Sequence, residues 1–311
     1  MGRGGARGGS MSGSATRPFA LVPRRRFLGV QFGRRRSSRR GIGDEVAGTR
    51  PYRPGDLIAH IHWAASARLS EARGTDEFVV REFFAEQAPR VALVHDRRPA
   101  MAIHPAPSPW LDKRAAAETA GRLIEASAAA EQGEVVSVDG ALRSPVQRRR
   151  GAPRRARPDA AYDAPETSVR VALEALVRES SLLPTGSFVF VVSDFLVPVP
   201  ARLWLRLRGL RWDVVPVIVQ DPVWEQTFPA VGGVVLPLAD PVSGQVQDVW
   251  VSPREARERA RANEQRLDEL LARFRRLGFD PVLLDTSDPR VVGDRFRAWA
   301  DRRRRLWTVQ A

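Results

Sequence analysis

Arg90-Val91-Ala92-Leu93-Val94-His95-Asp96 is a short apolar run that ends in an aspartate, and Ser187-Phe188-Val189-Phe190-Val191-Val192-Ser193-Asp194 repeats the pattern further along. Apolar runs that do not alternate with polar residues suit strands buried on both faces of a parallel sheet. In open α/β sheets the ligand sits at the carboxyl ends of the strands. The two terminal aspartates are therefore the first candidate site residues.

Around these two runs, helices and strands alternate. Residues 110–130 read as an alanine-rich helix carrying Leu111, Leu123 and Ile124, stopped by Gly133, with a strand over 134–138. Residues 167–182 place Val169, Ala172, Leu173, Leu176 and Val177 on one helical face. A short helix is expected over 201–207, a strand over 212–220 and a β-hairpin excursion over 230–251. Ser252-Pro253-Arg254-Glu255 is a capping box with proline at the first helical position. It opens a helix to 277 whose Leu267, Leu270, Leu271, Phe274 and Leu277 should face the sheet. A strand over 281–284 and a helix over 291–305 complete the series. Residues 90–311 thus predict one α/β domain: a doubly wound, mostly parallel sheet with helices on both faces. Residues 143–166, rich in arginine and proline, read as an exposed loop within it.

Upstream, residues 44–89 hold Arg50-Pro51-Tyr52-Arg53-Pro54-Gly55-Asp56, then Ile61-His62-Trp63-Ala64-Ala65-Ser66-Ala67-Arg68, then Glu77-Phe78-Val79-Val80-Arg81-Glu82. Pro54-Gly55 marks a turn and Phe78-Val79-Val80 has strand composition. A small β-rich subdomain is expected, locked by a buried ion network of Arg50, Arg53 and Arg68 with Asp56 and Glu82. The same residues, with Tyr52, Gly55, His62 and Trp63, form the candidate partner surface.

The order R-x-Y-x-P-G-D, I-H-W-x-x-S-A-R, a strand glutamate and an apolar strand ending in aspartate resembles the bacterial family called domain of unknown function fifty-eight. That resemblance implies a von Willebrand factor A-like domain after the signature. It implies work beside a separate MoxR-type AAA+ ATPase, as an adaptor in protein maturation or assembly. It also implies a divalent cation, Mg²⁺ above all, held by an aspartate after the first strand, two serines, a threonine and a later aspartate. Asp96, Thr167 and Asp194 match that pattern. The serine positions hold Arg98 and Ala100, so the site is expected to be degenerate, with Arg98 substituting for the cation.

Composition narrows the function. The absence of cysteine excludes disulfides, thiolate metal sites and a cysteine nucleophile, and fits a cytoplasmic protein. The four histidines, at 60, 62, 95 and 104, lack the paired spacing of a zinc cage. No phosphate loop, nucleophile elbow or H-E-x-x-H motif occurs, so any ATPase must be another chain and no catalytic residue is assigned. A Mg²⁺-dependent hydrolase is the poorer alternative. The net charge is +14, yet residues 1–43 carry eleven arginines and residues 143–158 seven, with no acidic residue in either, so the remainder is mildly acidic. Residues 1–43 read as a basic, largely disordered arm that docks a few apolar residues on the domain. These arginine segments support the rival reading, a nucleic-acid or anionic-membrane-surface binder with peripheral membrane contact. No apolar run is long enough to span a bilayer.

Overall fold

The computed structural model describes residues 17–24, 46–54, 56, 58–83, 88–103, 111–139, 146–150, 161–240 and 242–309. The chain divides into two units, Arg25–Ala88 and a discontinuous one of Met1–Arg24 with Pro89–Ala311. Residues 17–24 belong to the larger unit.

In the smaller unit β1 (Val46–Pro51) pairs antiparallel with β2 (Val79–Phe83), and α1 (Trp63–Arg73) lies between them in sequence. The expected β-rich form is thus corrected: I-H-W-x-x-S-A-R is the start of a helix. The peptide is alanine-rich, which favours helix, and Gly74 closes it at φ +67° with its N–H on the Ser70 carbonyl. Ser66 is the residue of α1 that is buried. Its hydroxyl accepts from Val79 N at 2.9 Å and so ties the helix to β2.

The larger unit is built on a six-stranded sheet in the order β10-β7-β6-β3-β4-β5. The strands are β3 (Arg90–His95), β4 (Glu134–Asp139), β5 (Val146–Arg150), β6 (Phe188–Ser193), β7 (Asp213–Val219) and β10 (Val282–Leu284). All pairings are parallel except β5 against β4. β5 corrects the reading of 143–166 as loop throughout. β5 is the edge strand on that side of the sheet.

Helices α2 (Lys113–Ala130) and α6 (Pro289–Val309) share one hydrophobic cluster with Val91, Leu93, Phe190 and Val217. On the other face α3 (Ser168–Arg178), α4 (Ala201–Gly209) and α5 (Pro253–Arg276) pack with Ala92, Val94, Val189 and Ile218. The class expected from the sequence, α/β with a mostly parallel sheet and helices on both faces, is what forms. α5 has its capping box, and buries Ala256, Leu267 and Phe274 with Leu270, Leu271 and Leu277 half-buried beside them. Gly278 ends it at φ +79°, with Phe279 N returning to the Phe274 carbonyl at 2.9 Å. The expected hairpin is β8 (Val234–Ala239) and β9 (Val246–Val251), a separate two-stranded sheet.

Residues 17–24 are ordered on the larger unit. Phe19 stacks on Phe296 at 4.8 Å and meets Trp299 and Phe190 edge-on. Arg303, 1% exposed, binds Asp213 through both terminal nitrogens and donates to the Val22 carbonyl at 3.0 Å, while Arg24 N donates to Asp213. The docking expected of the arm is realised here, and residues 1–16 and 25–43 lie outside the described residues. Among the described residues no helix is long and apolar enough to cross a membrane.

Candidate functional site

The chain leaves β3 in one direction, to β4, and later returns to the other side of β3 to build β6, β7 and β10. Adjacent strands β3 and β6 thus flank the point where the strand order reverses, and ligands in such sheets sit in the crevice there. Asp96 follows β3 and Asp194 follows β6, and Asp96 N donates to the Val192 carbonyl at 2.9 Å. Both aspartates are fully buried.

Two carboxylates in a dry crevice repel unless positive charge lies between them. Arg98 provides it, with a side chain 5% exposed. Its Nε donates to both oxygens of Asp96 at 3.0 Å, and Nη2 reaches Asp96 Oδ2 at 2.6 Å and also Asp194 Oδ1. Lys113, the first residue of α2, donates from Nζ to Asp194 Oδ2 at 2.8 Å and to Glu225 Oε1 at 2.6 Å. Ser193 Oγ donates to Asp96 Oδ2 at 2.6 Å, and Leu196 N to Asp194 Oδ1 at 3.0 Å. All four aspartate oxygens therefore accept hydrogen bonds.

The charges respond accordingly. Burial opposes ionisation of Asp194, but the ammonium of Lys113 and then the guanidinium of Arg98 outweigh it and hold its carboxyl below the usual 3.8. Burial also opposes the charge on Lys113, where Asp194 and Glu225 prevail and raise its pKa. For Arg98 the bonds to Asp96 and the charge of Asp194 likewise overcome burial and push its pKa up. Glu225 goes the other way: burial dominates and raises its carboxyl despite Lys113. The backbone contributes strain. Phe195 sits in the left-handed region at φ +54°, which is unusual for a bulky residue. Its buried ring packs edge-on against Phe274 at 5.2 Å, and Gln220 Nε2 holds the preceding Asp194 carbonyl at 2.6 Å.

These residues do not fit a divalent cation. Mg²⁺ needs open oxygen ligands in octahedral array, and the space between the aspartates is filled by a guanidinium. Thr167 is the exposed N-cap of α3 and lines a small cleft with Arg98 and Ser193. Among the described residues no group of three or more His, Asp or Glu side chains is arranged to hold a metal. Millimolar Mg²⁺ is accordingly expected to leave the melting temperature unchanged. A site filled at a hundred times its dissociation constant would add about 2.7 kcal/mol, and a rise of that size, abolished by Asp194→Ala, would refute the expectation.

The signature residues are partly brought together. Arg50 binds Asp56 through two bonds of 2.7 Å, and Arg53 N donates to Asp56 at 2.8 Å. The bond from Arg50, aided by that amide, draws the Asp56 carboxyl down to about 2. The expected buried network is otherwise corrected. The Arg50–Asp56 pair is only half-buried, Arg53 is exposed, and Arg68 is exposed with its Nε on the Ala64 carbonyl. Gly55 and the side chain of Glu82 lie outside the described residues. His62 caps α1, its Nδ1 accepting from Ala65 N at 3.3 Å. Trp63 is 60% exposed and forms an exposed aromatic group with Phe78 and Tyr52.

No motif in the sequence marks Lys113, Ser193, Gln220 or Glu225. Lys113 carries one signal, being the chain's single lysine among 50 basic residues. Glu225 carries none, because it meets Lys113 from 112 residues away.

Fold and site together define an open, mostly parallel α/β protein whose switch point is closed by an internal ion network. The chain belongs to the family described as Protein of unknown function DUF58, whose family model matches residues 48–269. It is similar to the uncharacterized protein Rv1480 of Mycobacterium tuberculosis and the uncharacterized protein Mb1516 of Mycobacterium bovis. Each is 27% identical over 298 residues, covering 94% of this chain and 90% of the relative. A solved structure, the conserved hypothetical protein BatB from Bacteroides thetaiotaomicron, covers 68% of this chain and 99% of its own at 11% identity. Its TM-score of 0.31 is too low to assign the fold by.

Proposed function

We propose that the larger unit is a von Willebrand factor A-like domain and that the protein is a non-enzymatic interaction module. In this reading it acts as an adaptor with a separate MoxR-type AAA+ ATPase in protein maturation or assembly. One observation carries the non-enzymatic part. The carboxylates at the switch point, where an α/β enzyme would place its reacting groups, are saturated by Arg98, Lys113 and backbone amides. A carboxylate locked to buried cations is a poor base and a poor nucleophile.

The smaller unit supplies a contact surface. Trp63, Phe78, Tyr52 and Ile58 are exposed, with the exposed arginines Arg53 and Arg68 on the same unit. Tryptophan, tyrosine and arginine are the residues that most often dominate binding energy at interfaces. The purified chain is expected to retain the ATPase in a pull-down with ATP and to lose it without. Trp63→Ala should weaken retention at least tenfold while the melting curve stays within a few degrees of the parent. Equal retention by a folded Trp63→Ala protein would remove this surface from the interface.

A further inference from the structure

The hairpin of β8 and β9 is a sheet of its own, joined by no third strand among the described residues. A two-stranded ribbon is marginal by itself in water, and this one keeps apolar surface outside. Val235, Val246 and Trp250 are each more than half exposed, and they share one face with the exposed Pro237, Ala239 and Asp248. The backbone decides which edge is open. Asp240 N donates to the Gln245 carbonyl at 2.8 Å, so that facing pair is hydrogen-bonded. Bonded and unbonded pairs alternate along an antiparallel ladder. Ala239 with Val246, Pro237 with Asp248 and Val235 with Trp250 are therefore the unbonded pairs, whose main-chain groups point away from the hairpin. On the β8 side Pro237 has no N–H, and a proline there blunts the edge. On the β9 side Val246, Asp248 and Trp250 offer complete donor and acceptor pairs, and no strand takes them up among the described residues.

Charge discriminates between occupants of this edge. Asp240 and Asp248 are the charged residues of 234–251, and Asp240 is engaged by the turn through the Val242 and Ser243 amides. The Asp248 carboxylate makes no hydrogen bond or ion pair among the described residues. If two copies of β9 paired antiparallel with all three outward residues engaged, Asp248 would face Asp248. Like charges directly opposite destabilise a sheet. A strand with a basic residue opposite Asp248 gains an opposite-charge pair instead. Side chains on one face recur every second residue, so apolar residues two places to either side of that basic residue fall opposite Val246 and Trp250.

We propose that the open edge of β9 takes up an extended segment of a partner protein as an antiparallel third strand, with lysine or arginine opposite Asp248 and an apolar residue two places to each side. Main-chain bonds supply the attachment, and the alternating side chains supply the selectivity. This surface belongs to the larger unit and goes beyond the contact read around Trp63 on the smaller one. The probe is an acetylated and amidated peptide, Thr-Val-Thr-Arg-Thr-Val-Thr, titrated into the full ¹⁵N-labelled chain. Saturable shifts of the Val246, Asp248 and Trp250 amides are the expected result. The same peptide with glutamate in place of arginine should bind at least about fivefold more weakly, since a favourable pair becomes a repulsive one. Asp248→Lys, a change at an exposed position that should leave the melting curve intact, should reverse the order of the two peptides. Shifts that never saturate, equal binding of both peptides, or an order unchanged by Asp248→Lys would overturn the proposal. So would sedimentation of the parent as a dimer that the arginine peptide does not dissociate and whose β9 amides are protected from exchange, because a second copy would then occupy the edge.

Discussion

Replacing Arg98 by methionine is expected to lower the stability of the folded protein by about 3–5 kcal/mol, the range seen when one partner of a buried ion pair is removed. The loss comes from what is left behind. Asp96 and Asp194 are fully buried, and both direct part of their bonding to this one guanidinium. Without it Asp96 retains the Ser193 hydroxyl and the amide of residue 98, and Asp194 retains Lys113 and Leu196 N. The two charges then face each other, and the remaining ammonium, Lys113, is bonded to Asp194 and Glu225 rather than to Asp96. Acidity provides the internal check. In the parent the folded pKa of Asp194 lies below 3.8, so its stabilising contribution is complete above that value and is lost as pH falls through the lowered one. In the variant Asp194 should take up its proton at higher pH than in the parent, so the gap between the two should narrow as pH falls from neutrality. Urea unfolding at several pH values measures this. A gap under about 1 kcal/mol, the worth of an exposed pair, or one unchanged by pH, would mean the network does not carry the charge balance described.

Phe19→Ala is expected to be comparably severe, at about 3–5 kcal/mol for a buried phenylalanine. The ring is 4% exposed and contacts aromatic side chains from β6 and α6. Truncation opens a cavity where strand, last helix and arm meet. Removing residues 1–16 should by contrast leave the melting temperature unchanged, since that stretch is glycine, serine and arginine with little to bury. If Phe19→Ala melts with the parent, Phe19 does not anchor the arm, and if the deletion unfolds the protein, residues 1–16 are structural.

What could be read from the sequence follows from which forces act locally. β3, β6 and β7 announce themselves as apolar runs because both faces of the sheet are covered, and α5 does so through its capping box and apolar stripe. α1 has no such stripe: apart from Ser66 its residues are exposed or half-buried, so burial leaves no period in the sequence. β5 pairs with β4 through the backbone, while Arg148, Arg149 and Arg150 read as loop. At the site, the motif gave Asp96, Arg98, Thr167 and Asp194, all near strand or helix ends. Lys113 and Glu225 complete the ion network only through tertiary folding, and residue types that common carry no spacing signal.

The docked arm also bears on how the protein is made. Val22 and Arg303 are hydrogen-bonded across 281 residues of chain. A ribosome adding roughly 5–20 residues per second needs on the order of tens of seconds to supply the second partner after the first. Throughout that interval Phe19, Leu21 and Val22 have emerged, and the α6 face that covers them has not been synthesised. The smaller unit, whose residues are consecutive, can fold during the wait, whereas the larger one cannot close. Closure of the larger unit is therefore delayed until synthesis reaches α6, and the apolar segment of Phe19, Leu21 and Val22 stays without its cover until then.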